Sequence, residues 1–455
     1  MPVRLPVHLA AAAAAAAALA TAAAAEERFP ATLAGHAFLP AFTLIAPPAD
    51  APRDAWVSGK FTGPARNDRP MSVMADTGAM HGRRATGISL PFIGQPVQGF
   101  SGFAMDRAAD GSIFVLTDNG FGSRMNSPDA LLFFHRAVPD FETGTVALRE
   151  TVFLRDPGRV VPFRIAYEGT ETRYLTGADF DPESIQIVGD SVWIGEEFGP
   201  FLIRATLDGV VTGVFPTMID GQQIRSPDHP ALRVPAVAGR DWTLPRSSGY
   251  EGMALQPGTG LLWAMLEKPL LNAEGQSEGQ FVRVLGFDPA TAAWTGAQFR
   301  FALAEGATAI GDFNFIDETR AIVIERDDGE GDPSLKCPGD PAPDCFPNPA
   351  VLKRVVLIDT ATLDAEGFVR RIGHIDLMDL ADPEARGRIP TAAARDLAGR
   401  YTVPFFTIEN VMRADDTHIL VAIDNNMPFS SGRALDRAAD NEMFLIAVPE
   451  MLAAR

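Results

Sequence analysis

Apolar residues in this chain come in short runs rich in Val, Ile, Leu and aromatics, each bounded by Gly, Pro, Asp or Asn. Residues 112–117, 191–195, 261–266, 321–324 and 418–423 are of this kind, and the pattern predicts short β-strands. A further strand follows in most units and ends in Asp, at 201–208, 281–288 and 352–359, with 133–140 a looser match. Asp208-Gly209 and Asp288-Pro289 then supply turn signals. Helical patterning is scarce, and 390–398 is its best candidate.

The same phrase recurs along the chain. Its openings are Gly99-Phe100-Ser101-Gly102-Phe103, Asp181-Pro182-Glu183-Ser184-Ile185, Gly249-Tyr250-Glu251-Gly252-Met253, Gly311-Asp312-Phe313-Asn314-Phe315 and Thr407-Ile408-Glu409-Asn410-Val411. After each comes a turn and an apolar run that ends in acid, at Asp118, Glu196-Glu197, Glu267, Glu325 and Asp424. One supersecondary unit used repeatedly predicts an all-β fold, a β-propeller of four-stranded antiparallel sheets around a central channel. The repeats are unevenly spaced and longer than the roughly 40–50 residues of a four-stranded blade. The surplus falls in insertions at about 221–248, 327–349 and 376–400, expected on one face. Residues 31–97 and a C-terminal strand at 442–448 are assigned to a sixth blade and to closure between the termini. Six is a count by remainder, and five or seven blades also fit. Residues 26–455 then form a single domain.

Two columns of acids follow from the repeat. Ser101, Glu183, Glu251 and Glu409 form the first, with Phe313 interrupting it and Asp312 one place earlier. Asp118, Glu196, Glu267, Glu325 and Asp424 form the second. A propeller brings equivalent positions around one axis, where so many carboxylates repel unless cations neutralise them. Oxygen-only ligands of this kind suit Ca²⁺. The reading assigns Glu183, Glu196, Glu251 and Glu267 to catalysis, and Asp118, Glu197, Glu325, Glu409, Asp424 and Asn425 to metal. Arg204, Arg283, Arg326 and Lys268 are assigned to an anionic substrate, since a metal polarises a phosphoryl group while arginine binds its oxygens. Acids that cap strand ends and pair with neighbouring bases would give the same pattern. The acidic loop at 327–332 reads equally as a peripheral Ca²⁺ site or a solvated loop.

A formal charge of −19 argues against nucleic acid and anionic membrane surfaces. It fits cation binding, or simply solubility. Residues 1–25 carry Arg4, a long Ala- and Leu-rich run and an Ala23-Ala24-Ala25 site, as a cleaved signal peptide does. A membrane anchor is the other reading, although the run is short and weakly apolar. No later segment is apolar enough to span, so a periplasmic or secreted protein is expected. In that setting Cys337 and Cys345, flanking a Pro- and Gly-rich segment, read as a disulfide; metal ligation is the alternative. No Gly-x-Ser-x-Gly elbow, no His-Glu-x-x-His and no phosphate-cradling loop occurs.

Taken together, these phrases resemble the phytase-like esterase family of secreted bacterial propellers. The resemblance rests on 99–103, Asp118-Asn119-Gly120, 181–185 with Trp193-Ile194-Gly195-Glu196-Glu197-Phe198-Gly199-Pro200, 249–253, 311–315 with Glu325-Arg326-Asp327, and Glu409-Asn410 with Asp424-Asn425-Asn426. It implies a β-propeller and ester hydrolysis, with phosphoric esters as substrates and Ca²⁺ as cofactor. Lys60, Lys268, Lys336 and Lys353 are the only lysines, so arginine would supply most phosphate ligands. The expected protein is a monomeric, exported, Ca²⁺-dependent hydrolase of a small-molecule phosphate ester. A non-catalytic propeller stabilised by Ca²⁺, and a carboxyl-ester or lactone hydrolase, are the alternatives.

Overall fold

Short apolar runs bounded by turns fold into five blades, each built on four antiparallel strands, in a computed structural model that describes residues 26–69, 73–79, 81–118, 120–232 and 236–455. Blade 1 comprises Gly102–Arg107, Ile113–Leu116, Phe133–Asp140 and Thr145–Phe153. Blade 2 comprises Pro182–Val188, Ser191–Glu196, Phe201–Thr206 and Val211–Pro216. Blade 3 comprises Gly252–Leu255, Leu262–Met265, Phe281–Asp288 and Ala293–Ala302, and blade 4 Ala309–Phe315, Arg320–Arg326, Lys353–Asp359 and Arg370–Asp376. Blade 5 takes Ile408–Arg413, His418–Ile423 and Asn441–Ala447 from the C-terminal end and Thr32–Leu39 from the N-terminal end. The expected leader at 1–25 lies outside the described residues.

The first strands of blades 1 to 5 contact one another in order, and the fifth contacts the first. That ring is complete, which corrects the expectation of a sixth blade. Residues 31–97 instead give blade 5 its outer strand, then fold into small pairs. Leu44–Ile45 pairs with Gln95–Pro96, Val57–Ser58 with Phe92–Ile93, and Val73–Asp76 with Ala85–Leu90. The termini do close the ring, through antiparallel pairing from Thr32↔Ala447 to Leu39↔Asn441.

Between each pair of neighbouring blades lies one hydrophobic core. Alternate residues of a strand point to opposite faces, so a blade strand feeds two cores. Phe114 and Leu116 pack toward blade 2, whereas Ile113 and Val115 pack toward blade 5. Burial on both faces is why these strands read as unbroken apolar runs. Residues 390–398 form no helix; Pro390 opens the segment, and Arg395 ties it to Asp332 at 3.1 Å. Among the described residues no helix is long and apolar enough to cross a membrane. Cys337 and Cys345 form the disulfide, as suits an oxidising compartment.

Antiparallel order fixes where the insertions emerge. The start of each first strand and the end of each second strand share one end of the channel. Insertions 221–248 and 376–400 lead into first strands and 327–349 leaves a second strand, so all three emerge at that end.

Candidate functional site

At this end of the channel is a cavity of about 280 Å³. Asp118, Asp181, Glu183, Glu197, Glu251, Glu267, Glu409 and Asp424 line it, with Lys268 and Arg326 as the cations. Gly122, Ser247, Phe406, Thr407 and Asn426 complete the wall from the connecting loops.

Strand register explains which acids arrive there. In blade 2, Pro182 pairs with Glu196 and Ser184 with Gly195, leaving Glu183 as the extra residue of a β-bulge. In blade 5, Ile408 pairs with Ile423 and Asn410 with Ala422, leaving Glu409. A bulge kinks its strand and re-aims one side chain, here toward the channel mouth. In blade 4 the same place falls to Gly311, between Ile310↔Glu325 and Asp312↔Ile324. The first column is therefore Ser101, Glu183, Glu251, Gly311 and Glu409. Asp312 is buried in the ring instead, its carboxylate accepting from Phe313 N and Val411 N, both at 2.7 Å. Phe313 belongs to the core between blades 3 and 4.

The second column also shifts. Counted from the paired residues, its members are Asp118, Glu197, Glu267, Arg326 and Asp424. Glu196 and Glu325 stand one residue earlier, and a one-residue step along a strand reverses the face. Glu196 turns away from the cavity and accepts from Phe198 N, Gly199 N and Phe201 N at 2.9, 2.7 and 2.7 Å, which organises the following turn. Glu325 forms a bidentate pair with Arg371, both contacts 2.9 Å. Neither lines the cavity, and the second column holds an arginine where the sequence reading put a fifth acid.

The expected substrate arginines divide as well. Arg204 and Arg283 sit on third strands, away from the axis. Arg204 Nε donates to Thr212 Oγ1 at 3.0 Å, and Arg283 grips Glu278 with contacts of 2.9 and 2.6 Å. Asn425 is scaffold: Oδ1 accepts from Gly99 N at 2.8 Å, and Nδ2 donates to Ala439 O at 3.0 Å. Its neighbour Asn426 reaches the cavity. In the acidic loop, Asp327 is bound to Val351 N, Leu352 N and Lys353. Asp181, which the assignment of roles passed over, does line the cavity; its place directly before Pro182-Glu183 was the available signal.

Further along the first strands, buried amides link the blades. Gln186 Nε2 donates to Met253 O at 2.6 Å and to Asn314 Oδ1 at 2.8 Å, while Asn314 Nδ2 donates to Val411 O at 2.9 Å. Asn410 Nδ2 adds a bond to Phe100 O. These bonds tie blades 1 to 5 across the axis beneath the carboxylates.

Electrostatics within the cavity are one-sided. Burial, then Asp118, Glu197 and Glu196, hold Asp181 well above the usual carboxylate range, and burial, Asp118 and Asp181 do the same to Glu183. Burial and Glu267 raise Glu197; burial and Glu409 raise Glu251 and Asp424. Burial pushes Glu409 up to about 7 against the pull of Arg326. Arg326 Nη2 stands 2.7 Å from Glu267, 3.8 Å from Glu251 and 3.9 Å from Glu409, and its face covers the Phe406 ring at 5.4 Å. Lys268 Nζ lies 3.3 Å from Glu267. Two cations against eight carboxylates leave the site short of positive charge. Glu251 Oε1, Glu267 Oε2 and Glu409 Oε2 are buried and accept no hydrogen bond. Asp118, Asp181 and Glu183 each offer an oxygen within 4.8 Å of the others, a spread one cation with oxygen ligands at about 2.4 Å can bridge.

Several solved structures are similar at low identity. The arabinanase Arb43A of Bacillus subtilis is 9% identical over 83% of this chain and 95% of its own, with TM-score 0.34. The PQQ-bound aldose sugar dehydrogenase of Streptomyces coelicolor is 12% identical over 78% and 99%, with TM-score 0.33. A GH43 β-1,3-galactosidase is 8% identical over 83% and 94%, with TM-score 0.38. No curated protein matches in sequence. The profile of the phytase-like family, described as esterase-like activity of phytase, matches residues 95–427, the stretch that holds every carboxylate of the cavity. The chain belongs to the phytase-like family.

Proposed function

We propose that this protein is a Ca²⁺-dependent hydrolase of phosphate esters, exported from the cytoplasm, which works at the carboxylate-lined end of its propeller channel. The observation that carries the reading is the charge deficit of a buried cavity whose donors are all oxygen. Carboxylates taken out of water remain ionised only beside cations, and a hard divalent ion with six to eight oxygen ligands matches this set. The residues that would hold it are Asp118, Asp181, Glu183, Glu409 and Asp424. Such an ion supplies Lewis acidity toward a phosphoryl oxygen and acidifies bound water.

The chain's own residues supply the rest. Glu409, buried in the lining with an Oε2 that accepts no hydrogen bond, has that oxygen available to the ion. Lys268, partly exposed at the wall, is placed to hold an anionic oxygen of the substrate. Arg326 is enclosed by carboxylates and orients them.

Lys268 and Arg326 are the only basic groups in the described lining, and both already face carboxylates, which favours a second reading. An uncharged carboxyl ester or lactone needs fewer cations than a phosphate dianion. A panel of phosphate monoesters, phosphodiesters, carboxyl esters and lactones, each with millimolar Ca²⁺ and with EDTA, tests both. Phosphate release that needs Ca²⁺ is the expected result. Lactone or carboxyl-ester turnover alone selects the second reading, and no turnover of any substrate sinks both.

A further inference from the structure

The ring of column positions is not symmetric. In blades 1, 2, 3 and 5 the residue leaving the second strand is acidic; in blade 4 it is Arg326, because Glu325 faces Arg371. Blade 4 also lacks a first-column acid, since Gly311 occupies that place. The guanidinium fills the resulting gap and lies within 3.9 Å of Glu251, Glu267 and Glu409. On the opposite side, Asp118, Asp181 and Glu183 converge within 4.8 Å with no basic side chain in an ion pair with Asp181 or Glu183 among the described contacts. Glu409 stands between the halves. Its charge is felt by Glu183, Asp118 and Asp424, and its buried Oε2 lacks a hydrogen-bond donor.

We propose that Arg326 takes the place of a divalent cation in the blade 3–4 half of the ring. Metal is thereby confined to the half built by Asp118, Asp181 and Glu183, with Glu409 Oε2 as a further ligand. The inference rests on the proposed reading only in requiring that the cavity bind a cation. Arg326 already sets a fixed positive charge within 3.9 Å of Glu251, Glu267 and Glu409, and it repels a divalent ion brought to the same carboxylates. The built-in cation thus sets how many ions the channel takes and leaves Lys268 beside a half that metal does not occupy.

Ca²⁺ bound per full-length chain, measured by metal analysis after equilibrium dialysis and by calorimetric titration, tests this. Asp181→Asn and Glu183→Gln are each expected to weaken the tightest ion at least tenfold. Glu267→Gln should leave the number of ions unchanged, because that carboxylate serves Arg326. Arg326→Gln should add one ion, and Arg326→Lys, which keeps the charge, should not. The proposal is overturned if Glu267→Gln loses an ion as Asp181→Asn does, or if Arg326→Gln folds and gains none. Should Arg326→Gln fail to fold, the Asp181 and Glu267 comparison still decides. A wild-type chain that binds Ca²⁺ with this pattern but hydrolyses nothing would end the enzymatic reading and leave the partition standing. Wild-type protein without any ion overturns the partition, whatever its activity.

Discussion

Adjacent residues of the same type do opposite jobs in this site. Glu196 and Glu197 are neighbours, yet one is bound by four backbone N–H groups and the other lines the cavity. Glu325 and Arg326 repeat the division in blade 4. Because the lining acids are buried together, their protonation links stability to pH. The folded state holds Glu409 protonated up to about 7, whereas the unfolded chain releases that proton near 4.5. Between these values the native state binds more protons than the unfolded one, so stability falls as pH rises. Protein stripped with EDTA should therefore melt several degrees lower at pH 8 than at pH 5.5, and millimolar Ca²⁺ should remove or reverse the difference. An EDTA-treated melting temperature that rises over this interval would show that the acids are neutralised in another way.

At the scale of the element, the bulge in the first strand is the device that aims the site. Three of the five blades carry it at the same register, so the propeller unit includes the kink as well as the strands. In blade 4 the bulge must be glycine, for a Cβ at Gly311 would stand 1.9 Å from Ile408 O on the next blade. Gly311→Ala should cost on the order of 3 kcal/mol through overpacking against a backbone that cannot retreat. Chemical denaturation with and without Ca²⁺ measures the loss. Stability within about 0.5 kcal/mol of wild type would mean that the two blades can separate there freely.

For the whole molecule, closure is what makes a cavity from a row of sheets. Strand Thr32–Leu39, drawn from the opposite end of the chain, completes blade 5, and Glu27–Arg28 just before it pairs in parallel with the outer strand of blade 4. Each blade buries its faces only against neighbours, so an open ring exposes the cores on either side of the gap. Deleting residues 26–39 should abolish the single cooperative melting transition and the Ca²⁺ response together. A truncated chain with native melting would show that three strands suffice in blade 5.

The sequence by itself determined the repeating unit. Apolar runs buried on both faces, turns at regular places and a recurring phrase were enough to identify a propeller and the family, and to bring Asp118, Glu183, Glu197, Glu251, Glu267, Glu409 and Asp424 forward as one set. Lys268 and Arg326 were legible as their cations. What it left open was register. Choosing between Glu196 and Glu197, or between Glu325 and Arg326, depends on which face a residue takes, and a bulge changes that without altering composition. The blade count had the same weakness, since residues 31–97 carry strand-like runs whose partners no local pattern names. Only the tertiary structure decided these points. Ring closure depends on contacts between the chain's ends, and the arginine in the acid ring owes its place to a partner, Arg371, that draws Glu325 away.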